Sequence, residues 1–164
     1  MDFIAMAYFN IDNLDHDPKL AQALGNMLVA WAFGEYTLVS TLAAVFDIDT
    51  NMAWVAYYRV PTFEARVKMI RAAITEWKPA PRYDKEAIDN AIEKLSKLSM
   101  TRNGWVHGDW CADGKRTATV IFDARKAAEA DGRRKDMKVA DVITHCGAVR
   151  LRANALLDLL RPLP

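Results

Sequence analysis

The chain has 164 residues, 52% of them hydrophobic and 26% charged, with a formal net charge of +1. That length suits one domain with one core, and the composition excludes a low-complexity or disordered chain. The near-neutral balance excludes nucleic-acid binding through bulk charge, so any contact with RNA has to come from a local patch.

Residues 1–17 carry Asp2, Asp12, Asp15 and Asp17 against no basic residue. They read as an acidic N-terminal arm ahead of a single helical domain over 18–164. Met1 to Met6 show neither a positively charged stretch nor an apolar run of signal-peptide length, and the only cysteines are Cys111 and Cys146. The expectation is a reduced, cytoplasmic protein with no disulfide and no membrane partner. At Asp17-Pro18 an N-cap residue precedes a proline suited to the first helical position. The spacing of Leu20, Leu24, Met27, Leu28, Trp31, Leu38, Leu42 and Val45 then predicts a long first helix over 18–46. Glu35, midway along its apolar run, argues for a core helix rather than a membrane span.

Pro61-Thr62 reopens helical periodicity after residues 47–60, and Phe63, Val67, Ile70 and Ile74 form one stripe of a second helix. Lys78-Pro79-Ala80-Pro81 cannot continue it, because proline lacks the amide donor and disfavours helical geometry in the residue before it. A third helix starts near Asp84, buries Ile88, Ile92, Leu95 and Leu98, and delivers the chain to Arg102. Trp110-Cys111-Ala112, a bend at Asp113-Gly114-Lys115, and Thr117 to Phe122 predict a β-hairpin. Residues 125–138 form a charged connection, and a last helix over about 140–161 ends before Pro162 and Pro164. The predicted fold is mainly α: a bundle of four main helices with a small β-hairpin inserted before the last.

Chemistry concentrates in Arg102-Asn103-Gly104-Trp105-Val106-His107-Gly108. Arginine offers a permanently charged planar fork for a phosphate, histidine exchanges protons near neutral pH, and a neighbouring amide orients either one. Those parts suffice for RNA cleavage without a metal. Glu35, if buried, needs a partner, and Arg102 is the expected one. Five residues of straight helix set Arg102 and His107 about 140° apart around the axis. Either the helix breaks at Gly104 or the working site is shared with a second copy. His107, Asp109 and Cys111 alternate along an extended segment but match no structural zinc spacing, so neither metal nor cofactor is expected. Arg133-Arg134-Lys135 with Lys138, and Lys115-Arg116, are basic stretches able to track an RNA backbone or simply to be solvated. Trp54, Tyr57, Tyr58, Trp105 and Trp110 are either base-stacking or core aromatics. His16, in the acidic arm, reads as solvated.

The segment from Arg102 to His107 resembles the Arg-x4–6-His motif of the HEPN superfamily, small helical bundles in which a polar residue, often Asn, follows the Arg. The resemblance implies a HEPN-like bundle acting as a homodimeric, metal-independent endoribonuclease. His107 would serve as general acid or base, Arg102 would stabilise the phosphorane, Asn103 would position phosphate or imidazole, and Glu35 would hold Arg102. In one subgroup a tyrosine two residues after the His is a target of nucleotide modification; here that position is Asp109, so regulation by that route is not expected. The resemblance leaves other roles open: a non-catalytic module that binds a protein or nucleotide, the toxin of a toxin–antitoxin pair with its antitoxin as partner, or a nuclease of phage defence.

Overall fold

A computed structural model describes residues 8–80, 83–116, 119–122 and 134–161. Among these residues the protein is mainly α, with six helices and four short antiparallel strands. Residues 1–7 of the acidic arm, Pro81, Thr117, most of the charged connection including Arg133, and Pro162 to Pro164 lie outside the described residues.

Helix α1 (Pro18–Phe46) has the predicted bounds. Its start follows from Asp17, whose side chain accepts from the Leu20 amide at 3.0 Å, satisfying one of the donors a helix N-terminus leaves open. Its end is a left-handed Asp47, φ 52°, with the Ile48 amide donating back to the Ala43 carbonyl at 3.0 Å. This wrap satisfies the last carbonyls as a glycine-terminated helix would. Among the described residues α1 is the one helix long and apolar enough to cross a membrane, and half of that apolar stretch is buried within the protein.

The segment between the first two predicted helices is itself helical: α2 (Thr50–Arg59) is capped by Asp49, which accepts from the Asn51 amide at 2.8 Å. Helix α3 (Phe63–Glu76) begins at the Thr62 cap, and α4 (Lys85–Ser96) at the Asp84 cap. The predicted third helix is interrupted after Ser96. A turn at Lys97-Leu98 separates α4 from α5 (Ser99–His107), which carries the motif. Helix α6 (Val139–Leu160) closes the chain.

The chain forms two compact units, one drawn from Met1–Met27 and Ser99–His145, the other from Leu28–Leu98 and Cys146–Pro164. Each takes two separate stretches of chain, so no linker composition marks the boundary.

In the first unit, the expected hairpin is the centre of a four-stranded sheet: β1 (Tyr8–Asn10), β2 (Asp109–Asp113), β3 (Thr119–Phe122) and β4 (Arg134–Asp136), in that order and antiparallel throughout. Phe9 pairs with Ala112, Cys111 with Val120, and Ile121 with Lys135. The middle of the acidic arm thus supplies an edge strand. Cys111, Ala112, Val120 and Ile121 are all buried. Neighbours along a strand face opposite ways, so both faces of the central pair are covered. The edges carry exposed Asn10, Lys135 and Asp136, polar groups that discourage further strand pairing. The bend closes with the Arg116 amide donating to the Asp113 carbonyl at 2.8 Å, and its left-handed residue is Arg116, φ 53°, rather than Gly114.

In the second unit, the buried faces of α1 (Trp31, Leu38, Leu42), α2 (Ala53, Tyr57), α3 (Val67, Ile70, Ile74), α4 (Ile88, Ile92, Leu95) and α6 (Val149, Ala153, Leu156) make an apolar core. Thr37 and Thr41 are wholly buried, and each hydroxyl donates to a carbonyl of its own helix, Gly34 and Thr37 respectively, so no polar group is stranded. Arg71 on α3 grips Asp89 on α4 through two bonds of 2.8 Å.

Candidate functional site

Helix α5 positions the motif. It runs unbroken through Gly104 to His107, so of the two arrangements open from the sequence, a break at Gly104 is not adopted. Trp105 anchors the helix: it is buried, its carbonyl accepts from Trp110 Nε1 at 2.8 Å, and its ring meets the His145 imidazole edge-on with centroids 4.9 Å apart. Lys135 Nζ lies 5.5 Å from the centroid of the same indole, a cation–π contact that ties this part of the basic stretch to the motif helix.

Around such a helix His107 points about 160° away from Trp105, and its side chain is exposed. Asn103 stands one turn before His107, on the same face. The half-buried Arg102 leaves the axis closer to the Trp105 side, but its Nη1 donates to Asn103 Oδ1 at 2.9 Å. Asn103 and the exposed His107 thus share one face of a short helix anchored by Trp105, and the Arg102 guanidinium, its Nε buried, is hydrogen-bonded to that Asn103. That set can bind a phosphate and exchange a proton.

Glu35 lies in the other unit and has other partners. Its Oε1 accepts from Arg66 Nη1 at 3.0 Å and from the Tyr57 hydroxyl at 3.2 Å. Arg66 also donates from Nε to the Val60 carbonyl and packs over the Tyr57 and Tyr58 rings, 4.9 and 4.7 Å from their centroids. Burial, reinforced by the Glu35 charge, pushes both phenols above the usual tyrosine range. The partner that a half-buried carboxylate requires is thus found on α2 and α3, and not at the Arg102 that the sequence suggests.

Other expectations also find their places. Neither Cys111 nor Cys146 forms a disulfide, and both are buried. Burial, with Asp109 nearby, raises the Cys111 thiol, which donates to Asn10 Oδ1 at 3.0 Å. His16 is half-buried, with Nε2 3.0 Å from the Thr119 hydroxyl, rather than solvated. Trp105 and Tyr57 are core residues, whereas Tyr58 is exposed. Among the described residues no three His, Cys, Asp or Glu side chains are grouped to hold a metal ion.

His145 was not legible as part of this neighbourhood. It is 8% exposed, its Nε2 has no hydrogen-bond partner among the described residues, and burial followed by the Lys135 charge lowers its pKa. Only its helical spacing within the last helix, on the side of Val142 and Val149, hints that it is buried. Compared with protein-family models, with curated proteins and with solved structures, the chain matches none.

Proposed function

We propose that the protein is a metal-independent endoribonuclease of HEPN type, working on RNA at a site that two copies of the chain share. The observation that carries this reading lies on α5: the Arg102 guanidinium bonded to Asn103, which stands one turn before an exposed His107. In the proposed reaction the ribose 2′-oxygen attacks the adjacent phosphorus as its proton passes to a base, and the P–O5′ bond breaks as that oxygen takes a proton from an acid. The products are a 2′,3′-cyclic phosphate and a 5′-hydroxyl, with no oxidant, reductant or water consumed. An imidazole is suited to either proton transfer, so the His107 that one copy brings to a site acts as the base or the acid beside the Arg102 of the other copy, with solvent serving the remaining transfer. Arg102 stabilises the charge that builds on the non-bridging oxygens, and Asn103 holds the guanidinium through its side-chain oxygen.

The test is cleavage of a labelled single-stranded RNA with end-group analysis. Wild type should leave cyclic phosphate ends with EDTA present, and a 2′-deoxy substitution at the cut should block it. His107→Ala should lose about 10²–10⁴-fold, and Arg102→Lys, which keeps the charge but not the fork, should be crippled. A wild type that cuts no RNA in a varied panel, or a His107→Ala variant that cuts equally well, removes the nuclease reading and leaves a binding module in its place.

A further inference from the structure

The second unit carries an apolar face that its own core does not use. On α1, Leu28, Val29, Ala32 and Tyr36 recur at helical spacing on the side away from the buried residues, and all are exposed, Val29 at 68%. The stripe continues onto α2 through a ladder of rings: Phe33 stacks on Tyr36 with centroids 6.4 Å apart, Tyr36 lies 6.4 Å from Trp54, and Trp54 stacks on Tyr58 at 5.3 Å and 6°. Val55, at 59%, and Tyr58, at 48%, widen it.

Charge decides what can cover this face. Between Lys19 and Arg59 the chain carries no lysine or arginine, and Arg66, over the Tyr58 ring, is bound to Glu35 and largely withdrawn from solvent, so the face offers little to a phosphate backbone, and its rings lie against one another rather than presenting free faces to bases. Nucleic acid is therefore a poor occupant, as is a strongly acidic protein. Leu28, Val29, Tyr36, Val55 and Tyr58 together leave roughly 500–600 Å² open, at the top of what monomers expose as one patch and about two-thirds of the 800 Å² per partner of a stable interface. The face also complements itself. Ala32 lies midway between Leu28 and Tyr36, so a two-fold axis at Ala32 lets two α1 helices cross at the small residue. Leu28 of one copy then meets Tyr36 of the partner subunit, with the Trp54–Tyr58 ladder closing over each end.

We propose that the α1–α2 face formed by Leu28, Val29, Tyr36, Val55 and Tyr58 is the surface through which two copies of this chain associate. The exposed face stands independently of the motif and of the nuclease reading. The test is sedimentation equilibrium of the whole chain, with RNA cleavage measured separately. Wild type should be a dimer at micromolar concentration. Val29→Lys with Val55→Lys, at two exposed positions, should weaken association at least tenfold while leaving the circular dichroism spectrum and melting profile of the monomer folded. Leu151→Lys, at an exposed apolar position on α6, should leave the dimer intact. A double variant that remains as dimeric as wild type, or a wild type that stays monomeric, overturns the proposed face. A double variant that is monomeric yet cleaves RNA as well as wild type upholds the face and removes the shared site instead.

Discussion

Arg66 donates to Glu35 at 3.0 Å, and both side chains are about 85% withdrawn from solvent, at 14% and 15% exposure. Removing one member of such a pair strands the other charge, a loss of about 3 kcal/mol where burial is complete. Residual solvation and the neighbouring tyrosine rings place the expected cost of Glu35→Ala at about 2–3 kcal/mol on the same basis. Glu35→Gln, which still offers an oxygen to Arg66 and the Tyr57 hydroxyl, should cost less. Urea unfolding of the three proteins gives the comparison, and an unchanged midpoint for Glu35→Ala would show that the carboxylate is spared in solution. Because Glu35 is bound to α2 and α3, Glu35→Gln should leave RNA cleavage near the wild-type rate.

The pairing of Glu35 shows where the sequence stops being legible. That a carboxylate in the middle of an apolar helix must find a donor is a local statement, readable from α1 alone. Which donor it finds is not, because Arg66 lies 31 residues away and nothing in its spacing separates it from Arg71, which binds Asp89. The first three expected helix starts were legible because Asp17, Thr62 and Asp84 each bond an amide three residues on. Helix α2 had a related signal in Asp49, which bonds the amide two residues on. Its Trp54, Val55, Tyr57 and Tyr58 have weak helix propensity, and only packing of Ala53 and Tyr57 into the core decides in favour of a helix. The three-residue strands β1 and β4 are beyond any periodicity argument; they exist because the hairpin offers two open edges. Within the motif, residue identities were legible, but the continuity of α5 and the hydrogen bond from Arg102 to Asn103 are matters of geometry.

Gly104 offers a test of that continuity. A Cβ built at this position meets nothing within 4 Å, and the residue does not use the left-handed region open to glycine. Gly104→Ala should therefore stabilise the protein by up to about 1 kcal/mol through helix propensity. Since the helix already runs through this position, cleavage should be unchanged. A rise in melting temperature accompanied by loss of cleavage would mean that the active form breaks the helix at Gly104.

His145 predicts a pH dependence of stability. Burial against Trp105 and the charge of Lys135 depress its pKa in the fold, so the unfolded chain takes up a proton first as pH falls. Stability from this group is complete above the ordinary histidine pKa of about 6.5 and declines as pH drops from there toward the depressed folded value. His145→Phe keeps an aromatic ring beside Trp105 and removes the titration. Urea midpoints measured between pH 7.5 and 5 should fall less steeply for the variant than for wild type. Parallel slopes would show that His145 is protonated as easily in the fold as out of it.

Whether one copy or two build the site is answered by mixing variants. In the shared arrangement, each site takes Arg102 from one chain and His107 from the other, so homodimers of Arg102→Ala and of His107→Ala each lack a complete site. A mixed dimer is different: the chain with Arg102 intact meets the chain with His107 intact on one of its two sides, and that site is whole. If the variants exchange subunits freely at equal concentration, half of the dimers are mixed and each has one working site, giving about a quarter of wild-type activity by two-fold symmetry. If instead the Arg102 guanidinium works with the His107 of its own helix, no mixture contains a complete site and activity stays at the level of the separate variants. The expected result is recovery to about a quarter, developing at the rate of subunit exchange and absent when the Val29→Lys, Val55→Lys pair is added to both chains. Cleavage by wild type without any recovery on mixing would keep the nuclease and confine its site to a single copy.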